Sequence, residues 1–194
     1  MYKRQVLEYK PSTIGLIFVP SALCMAIAGP ISGRLSDKFG YRYFTSGGLL
    51  ISSIGLFILS NLSLNSSLYL IIPAMIIQTI GIGVFQPANN SSVLSVIKSQ
   101  NYGVISGFLN LIRNTGNVSS VAISTIIVTS TMAIMGYAPN LSALNTESGI
   151  EILKSFTSGV NITYKIFAII VLITAFGCFI KGNNKNSKIN KELF

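Results

Sequence analysis

The chain of 194 residues is half hydrophobic and 10% charged, whereas soluble domains usually carry about a quarter of charged residues. So little polar surface cannot cover a water-soluble globule of this size, and the composition therefore indicates an integral membrane protein. The net charge of +9 does not indicate nucleic-acid binding, because the basic residues fall between and after apolar tracts. With no His and two Cys inside apolar tracts, we expect no metal centre and no cofactor, and we predict buried free thiols.

Five apolar tracts are long enough to cross a membrane as helices, so the sequence predicts an all-α integral membrane fold. A helix rises about 1.5 Å per residue, and about 20 residues therefore cover the hydrocarbon core of a bilayer. The predicted spans lie at about residues 13–32, 44–62, 68–97, 103–135 and 162–180. The first span is too long for the apolar core of a signal peptide, and further spans follow it.

A polar hinge segment, residues 33–43, separates the first two spans. It carries four charges, whereas residues 11–33 and 43–97 carry no Lys, Arg, Asp or Glu. Charge clustered between two apolar tracts is typical of a short loop between membrane spans. We expect Asp37 to interact with the positive N-terminal end of the second helix, or to pair with Arg34 or Arg42.

The third span carries amide side chains that are candidates for lining a transport pathway. These candidates are Gln78, Gln86, Asn89 and Asn90. Gly81, Gly83 and Pro87 would let this helix bend and approach a neighbour closely. The alternative for the amides is hydrogen bonding between helices, and helix packing is the simpler explanation for the glycines.

The fourth span carries a polar face. Polar residues recur there at steps of three and four, which places Ser106, Asn110, Arg113, Asn117, Ser120 and Ser124 on one side of a helix, with Asn114 beside them. A charge this deep costs at least about 2.5 kcal/mol on insertion scales, so Arg113 should face protein or water. The functional interpretation is a pathway lining formed by Asn110, Arg113, Asn114 and Asn117. The alternative is a structural arginine that bonds helix ends and backbone carbonyls.

A polar loop, residues 136–161, and a Lys-rich tail, residues 181–194, flank the fifth span. Lys and Arg are in excess on the side that holds the hinge segment and the tail, so these should be cytoplasmic and the 136–161 loop external. The basic residues before the first span oppose this assignment.

No set of residues for catalysis is present, because the chain has no His and its five acidic residues all lie in predicted loops or at the ends. We therefore expect no enzymatic activity. The spans also offer no carboxylate that could carry a proton, so protons would have to pass through residues outside this chain.

The hinge segment resembles the signature loop of the major facilitator superfamily, which joins the second and third helices of each half of those transporters. Its letters GRLSDKFGYR, residues 33–42, fill every motif position, and Gly29-Pro30 precede it. Residues 81–91 (GIGVFQPANNS) and 107–116 (GFLNLIRNTG) look like late helices of the fourteen-span drug:proton antiporter branch, and residues 5–11 (QVLEYKP) resemble an external loop of that branch.

This resemblance implies that the five spans are helices ten to fourteen, the last five of a C-terminal half-bundle in a multi-pass cell-membrane protein. It implies proton-coupled efflux of drugs or other hydrophobic or cationic compounds by alternating access, with lipid, an unidentified small molecule and the missing N-terminal half as partners. The gating residues would be Gly33, Arg34, Asp37, Lys38, Gly40 and Arg42, acting as a cytoplasmic latch and not as a substrate site.

Two alternatives remain open from the sequence. The chain can be a truncated, non-transporting membrane protein or the partner half of a split transporter. It can also belong to an uptake carrier of another branch of the superfamily. An open reading frame upstream of Met1 that encodes about nine more spans would favour a fragment of a complete transporter.

Overall fold

The computed structural model describes residues 11–64, 66–137 and 150–181, and within these ranges the chain is helical without a strand. Its elements are α1 (Pro11–Phe39), α2 (Tyr41–Leu59), α3 (Leu68–Leu94), a 3₁₀ turn (Ser99–Asn101), α4 (Tyr102–Ile134) and α5 (Ile150–Lys181). All five α-helices are long and apolar enough to cross a membrane. The prediction of an all-α membrane fold with five spans is confirmed.

The hinge segment is a helix end and not a loop. We expected a loop over residues 33–43, but α1 continues to Phe39 and α2 begins at Tyr41, so that Gly40 alone separates them. Gly40 has φ of 95°, a left-handed conformation that other residues rarely adopt, and its N–H donates to the carbonyl of Ser36 at 2.9 Å. The charged residues therefore lie at the junction of two helices. A charged helix end can reach water without a loop.

The fifth helix begins earlier than we expected. Residues 136–161 were predicted as a loop, but α5 starts at Ile150 and is 32 residues long. Its first turns carry polar residues, yet Phe156 packs with Val128 and Met132 of α4 in a small apolar cluster, which stabilises this stretch as helix. Residues 138–149 of the expected loop and 182–194 of the expected tail lie outside the described residues.

The helices pack in a fixed spatial order. Helix α3 lies between α1 and α2, α2 also packs on α5, and α4 packs on α5. Hydroxyl groups join the pairs: Ser32 of α1 donates to the Val84 carbonyl of α3 at 2.7 Å, and Ser53 of α2 donates to the Ala168 carbonyl of α5 at 2.9 Å. Hydroxyl-to-carbonyl bonds of this kind hold helices together where apolar contact alone gives little preference over lipid.

Helices α2 and α5 are antiparallel and joined at both ends. At the end near Gly40, which we call the hinge face, the Arg42 guanidinium lies 4.3 Å from the ring centre of Phe179. At the opposite end, the far face, the Asn161 amide donates to the Leu62 carbonyl at 2.8 Å. Helix α2 has 19 residues, or about 28 Å, which matches the hydrocarbon core of a bilayer. The turns of α5 before Asn161 therefore extend beyond that core.

Three glycines allow the closest helix contact, that between α2 and α3. A Cβ on Gly55 would lie 2.5 Å from the Gln78 nitrogen, and one on Gly48 would lie 2.7 Å from the Phe85 nitrogen. A Cβ on Gly81 would collide with the Ser52 nitrogen. Gly48 and Gly55 therefore pack directly against α3, whereas Gly47 has nothing within 4 Å of its Cβ position.

Replacing Gly81 by Ala should separate α2 from α3, because the new methyl group meets backbone atoms that cannot move aside. Overpacking of this kind costs about 1–3 kcal/mol and should lower the unfolding temperature of the purified chain in detergent. The unfolding is followed with a thiol-reactive dye, since heating exposes Cys24 and Cys178. Gly47→Ala is the matched control and should unfold as the wild type does. Equal unfolding temperatures for Gly81→Ala and the wild type would contradict the close contact.

Candidate functional site

The polar face of α4 is mostly exposed. Asn110, Arg113, Asn114 and Asn117 are all exposed, because the second half of α4 supplies the buried contacts with α5. Contact of such a face with hydrocarbon is unfavourable, because inserting an arginine at that depth costs at least about 2.5 kcal/mol. The exposed face of α4 therefore borders protein or water in the membrane.

Arg113 reaches across to α3. Its guanidinium donates to the Asn90 side-chain oxygen at 3.3 Å, so the structure brings these two candidate residues together. Gln86 and Asn89 are half-buried on the same part of α3. In the described ranges no hydrogen bond joins either of them to the asparagines of α4. The Arg113–Asn90 contact is thus the single polar bridge between α3 and α4 in the part of the chain that the structure describes.

A cavity of about 490 Å³ lies towards the far face and is lined by all five helices. Most of its wall is apolar. Its polar lining comes from three helices and consists of Gln78, Thr79, Ser124, Asn161, Thr163 and Tyr164. Among the described residues, no Asp, Glu, Lys or Arg lines it. The arrangement can hold an uncharged molecule by shape and by a few hydrogen bonds.

The polar face of α4 leads into this cavity. Ser120 and Ser124, the last members of the face, are half-buried, and Ser124 lines the cavity. Their hydroxyls donate to the carbonyls one turn earlier, Ser124 to Ser120 at 2.6 Å and Ser120 to Asn117 at 2.8 Å. A continuous polar strip therefore runs from the exposed part of α4 to the five-helix cavity.

Sequence reasoning found part of this cavity. Of the pathway candidates, Gln78 lines it, whereas Gln86, Asn89, Asn90 and the residues Asn110–Asn117 of α4 do not. Asn161 was missed because residues up to 161 were expected to form a loop, and the lining by Thr163 and Tyr164 depends on which helices become neighbours. A signal for the longer helix was present, because Phe156, Val160, Thr163 and Phe167 recur at helical spacing from the expected loop into the predicted span.

The hinge residues lie together at the hinge face. Arg34, Asp37, Lys38 and Gly40 are exposed, and Arg42 is half-buried. The Asp37 carboxylate lies beside the phenol of Tyr41, the first residue of α2, and interacts with it. Gly33 faces α3, where its Cβ position would lie 3.7 Å from the Pro87 Cβ. The hinge therefore joins α1, α2, α3 and, through Phe179, α5.

The remaining side chains that could carry chemistry have structural roles. Cys24 and Cys178 are free thiols and are half-buried, not fully buried as the sequence led us to expect, because each helix turns part of that face outward. At the far face, Tyr137 donates to the Glu151 carboxylate at 2.9 Å, and this hydrogen bond raises the pKa of Tyr137. In the described ranges no group of His, Cys, Asp and Glu could hold a metal ion.

A bundle of spanning helices with a polar strip running to a cavity shared by all five of them is typical of a multi-pass membrane transport protein. The family model of the Major Facilitator Superfamily matches residues 2–192, and the chain belongs to that superfamily. This superfamily consists of transporters and is not enzymatic. No solved structure matches the chain.

Curated relatives include proteins named for different roles. The chain is 34% identical over 113 residues to the riboflavin transporter RibZ of Clostridioides difficile, an alignment covering 58% of this chain and 25% of that protein. It is 26% identical over 180 residues to the puromycin resistance protein pur8 of Streptomyces alboniger, covering 88% and 36%. It is 22% identical over 181 residues to the lincomycin resistance protein LmrB of Listeria innocua, covering 92% and 36%. The chain thus spans between 25% and 36% of these relatives.

Proposed function

We propose that the chain forms the C-terminal part of a secondary active transporter that exports hydrophobic or cationic compounds in exchange for protons by alternating access. The observation that carries this proposal is the polar strip of α4, which runs from the exposed Arg113 to the cavity shared by five helices. A polar strip ending in a cavity suits the passage of a small molecule. The resistance proteins among the relatives support efflux.

The exposed face of α4 supports a partner in the same membrane. Arg113 and the asparagines around it need protein or water beside them, and an N-terminal half-bundle would supply both a wall and an aqueous route between the halves. In the described ranges the acids are Asp37 at the hinge face and Glu151 at the far face. Neither lies within the membrane core, so the proton would pass through residues of that other half.

A second candidate is the transport of riboflavin. The observation that favours it is the 34% identity with a riboflavin transporter, although that alignment covers 58% of this chain. Both candidates use the same fold, and they differ in the substrate.

Everted membrane vesicles separate the candidates. The transporter is expressed from its native chromosomal locus, a deletion strain serves as the control, and an inside-acid proton gradient is imposed. Efflux predicts gradient-driven accumulation of ethidium, puromycin or the uncharged chloramphenicol above the deletion control, which collapses with an uncoupler. Accumulation of riboflavin alone would favour the second candidate, and accumulation of none of them would favour a non-transporting membrane protein.

Replacing Arg113 by Ala should abolish this accumulation while leaving the protein in the membrane, because the strip loses its charge and its bridge to Asn90. The measurements are the initial uptake rate and the amount of protein in washed membranes. Lys154→Ala, which removes an exposed charge from the far face, is the control and should transport at the wild-type rate. Unchanged uptake in Arg113→Ala would show that this arginine is structural.

We also propose that the hinge acts as a latch on the cytoplasmic side, with Asp37 holding the start of α2. A lost charge-assisted hydrogen bond costs about 1.5–3 kcal/mol, so Asp37→Asn should slow transport by about tenfold or more. Asp37→Glu keeps the charge and should restore much of the rate. Full transport by Asp37→Asn would exclude the latch.

The hinge face and the C-terminus should be cytoplasmic. Arg34, Lys38, Arg42 and Lys98 all lie at helix ends of the hinge face, and such an excess of positive charge favours the cytoplasmic side. In a variant whose two native cysteines are replaced by Ser, Lys154→Cys should react with a membrane-impermeant maleimide in intact cells. Lys98→Cys should react only after the cells are opened. The reverse pattern would invert the orientation.

A further inference from the structure

We propose that the five-helix cavity binds a neutral, flat aromatic molecule that carries amide- or imide-type groups, and that this molecule is the transported substrate. That this molecule is the substrate rests on the proposed transport function. The inference narrows the proposed class of hydrophobic or cationic compounds to its neutral members.

The size and the aromatic walls of the cavity favour a flat ring system. A volume of about 490 Å³ falls within the range of about 300–1,000 Å³ that is usual for small-molecule sites. Phe18 of α1 and Phe156, Tyr164 and Phe167 of α5 belong to its wall. Aromatic side chains prefer stacked or edge-to-face contacts with another ring, so a flat aromatic ligand gains more here than an aliphatic one.

The charge pattern disfavours a cation. Aromatic rings attract a cation, but a desolvated charge also needs a counter-charge, and in the part of the chain that the structure describes no acid lines this cavity. Asp37 and Glu151, the acids of the described ranges, lie at opposite ends of the bundle. A neutral ligand needs no counter-charge in this cavity.

Two carboxamides set the hydrogen-bonding character of the ligand. The Asn161 nitrogen donates to the Leu62 carbonyl, which fixes this side chain, and its oxygen remains an acceptor on a residue that lines the cavity. Gln78 has its backbone held against α2 at Gly55, and its side-chain oxygen lies 3.4 Å from the Thr79 hydroxyl. A carboxamide both donates and accepts, so it pairs best with an edge that does the same, as an amide or imide edge does.

The binding test uses the full 194-residue chain in lipid nanodiscs and two flat three-ring dyes of similar size. Lumiflavin is neutral with an imide edge, and proflavine is cationic. Binding is followed by fluorescence anisotropy. We expect lumiflavin to bind at least about tenfold more tightly than proflavine. Equal or tighter binding of proflavine, or no binding of lumiflavin, would overturn the proposal.

Gln78 variants test whether the ligand lies in this cavity. Gln78→Leu removes both hydrogen-bonding groups and should weaken lumiflavin binding by about 3- to 10-fold. Gln100→Leu makes the same change on the exposed 3₁₀ turn and should bind as the wild type does. If Gln78→Leu does not fold, Gln78→Glu adds an acid with little change of shape. It should weaken lumiflavin and tighten proflavine, and unchanged affinities would reject the cavity as the site.

A membrane helix of another chain is the competing occupant. Lumiflavin should protect a Val160→Cys variant from maleimide, because Val160 lines the cavity. Cross-linking of that variant to another helix in cells, without protection by lumiflavin, would overturn the proposal in favour of the helix. Lumiflavin binding without any vesicle transport would contradict the proposed function alone. Transport unaffected by Gln78→Leu would contradict the cavity as substrate site alone.

Discussion

The close contact between α2 and α3 is the constraint on which the rest of the bundle depends. It needs backbone against backbone, at Gly48 and Gly55 on one helix and Gly81 on the other. Apolar side chains gain little from leaving lipid for another helix, so helices in membranes associate through van der Waals packing and hydrogen bonds, and small residues allow both. With α2 and α3 fixed, α1 packs on the free side of α3 and α5 on the free side of α2.

The cavity follows from this order of packing. Helix α4 reaches the bundle mainly through α5, with Val128 and Met132 against Phe156 at the far face. The remainder of α4 stands away from α2 and α3 and touches α3 through Arg113 and Asn90. A space bounded by all five helices is thus left between two groups, the tight set of α1, α2 and α3 and the pair of α4 and α5. Transport that requires these groups to move against each other would change the shape of that space first.

The sequence predicted the number of spans and the fold class, because hydropathy and the absence of charge report directly on what lipid can accept. It predicted the polar face of α4 for the same reason, since a period of three and four is a property of one helix alone. It failed at the ends of helices. Helix α1 ends at Phe39 and helix α5 begins at Ile150, and both of these helix ends run through polar residues. Polar residues at a helix end are compatible with either a loop or a helix. The lining by Asn161 and Tyr164 depends on which helices become neighbours, and one sequence does not contain that information.

The junction at Gly40 has a mechanical consequence. A connection of many residues would be flexible and would absorb any displacement of the helix before it. One residue with a left-handed backbone, closed by the bond from the Gly40 N–H to Ser36, provides almost no such flexibility. Helices α1 and α2 therefore move together, and a tilt of α1 must rotate the start of α2. Because Arg42 stacks on Phe179, that rotation is passed on to the end of α5, on the other side of the bundle.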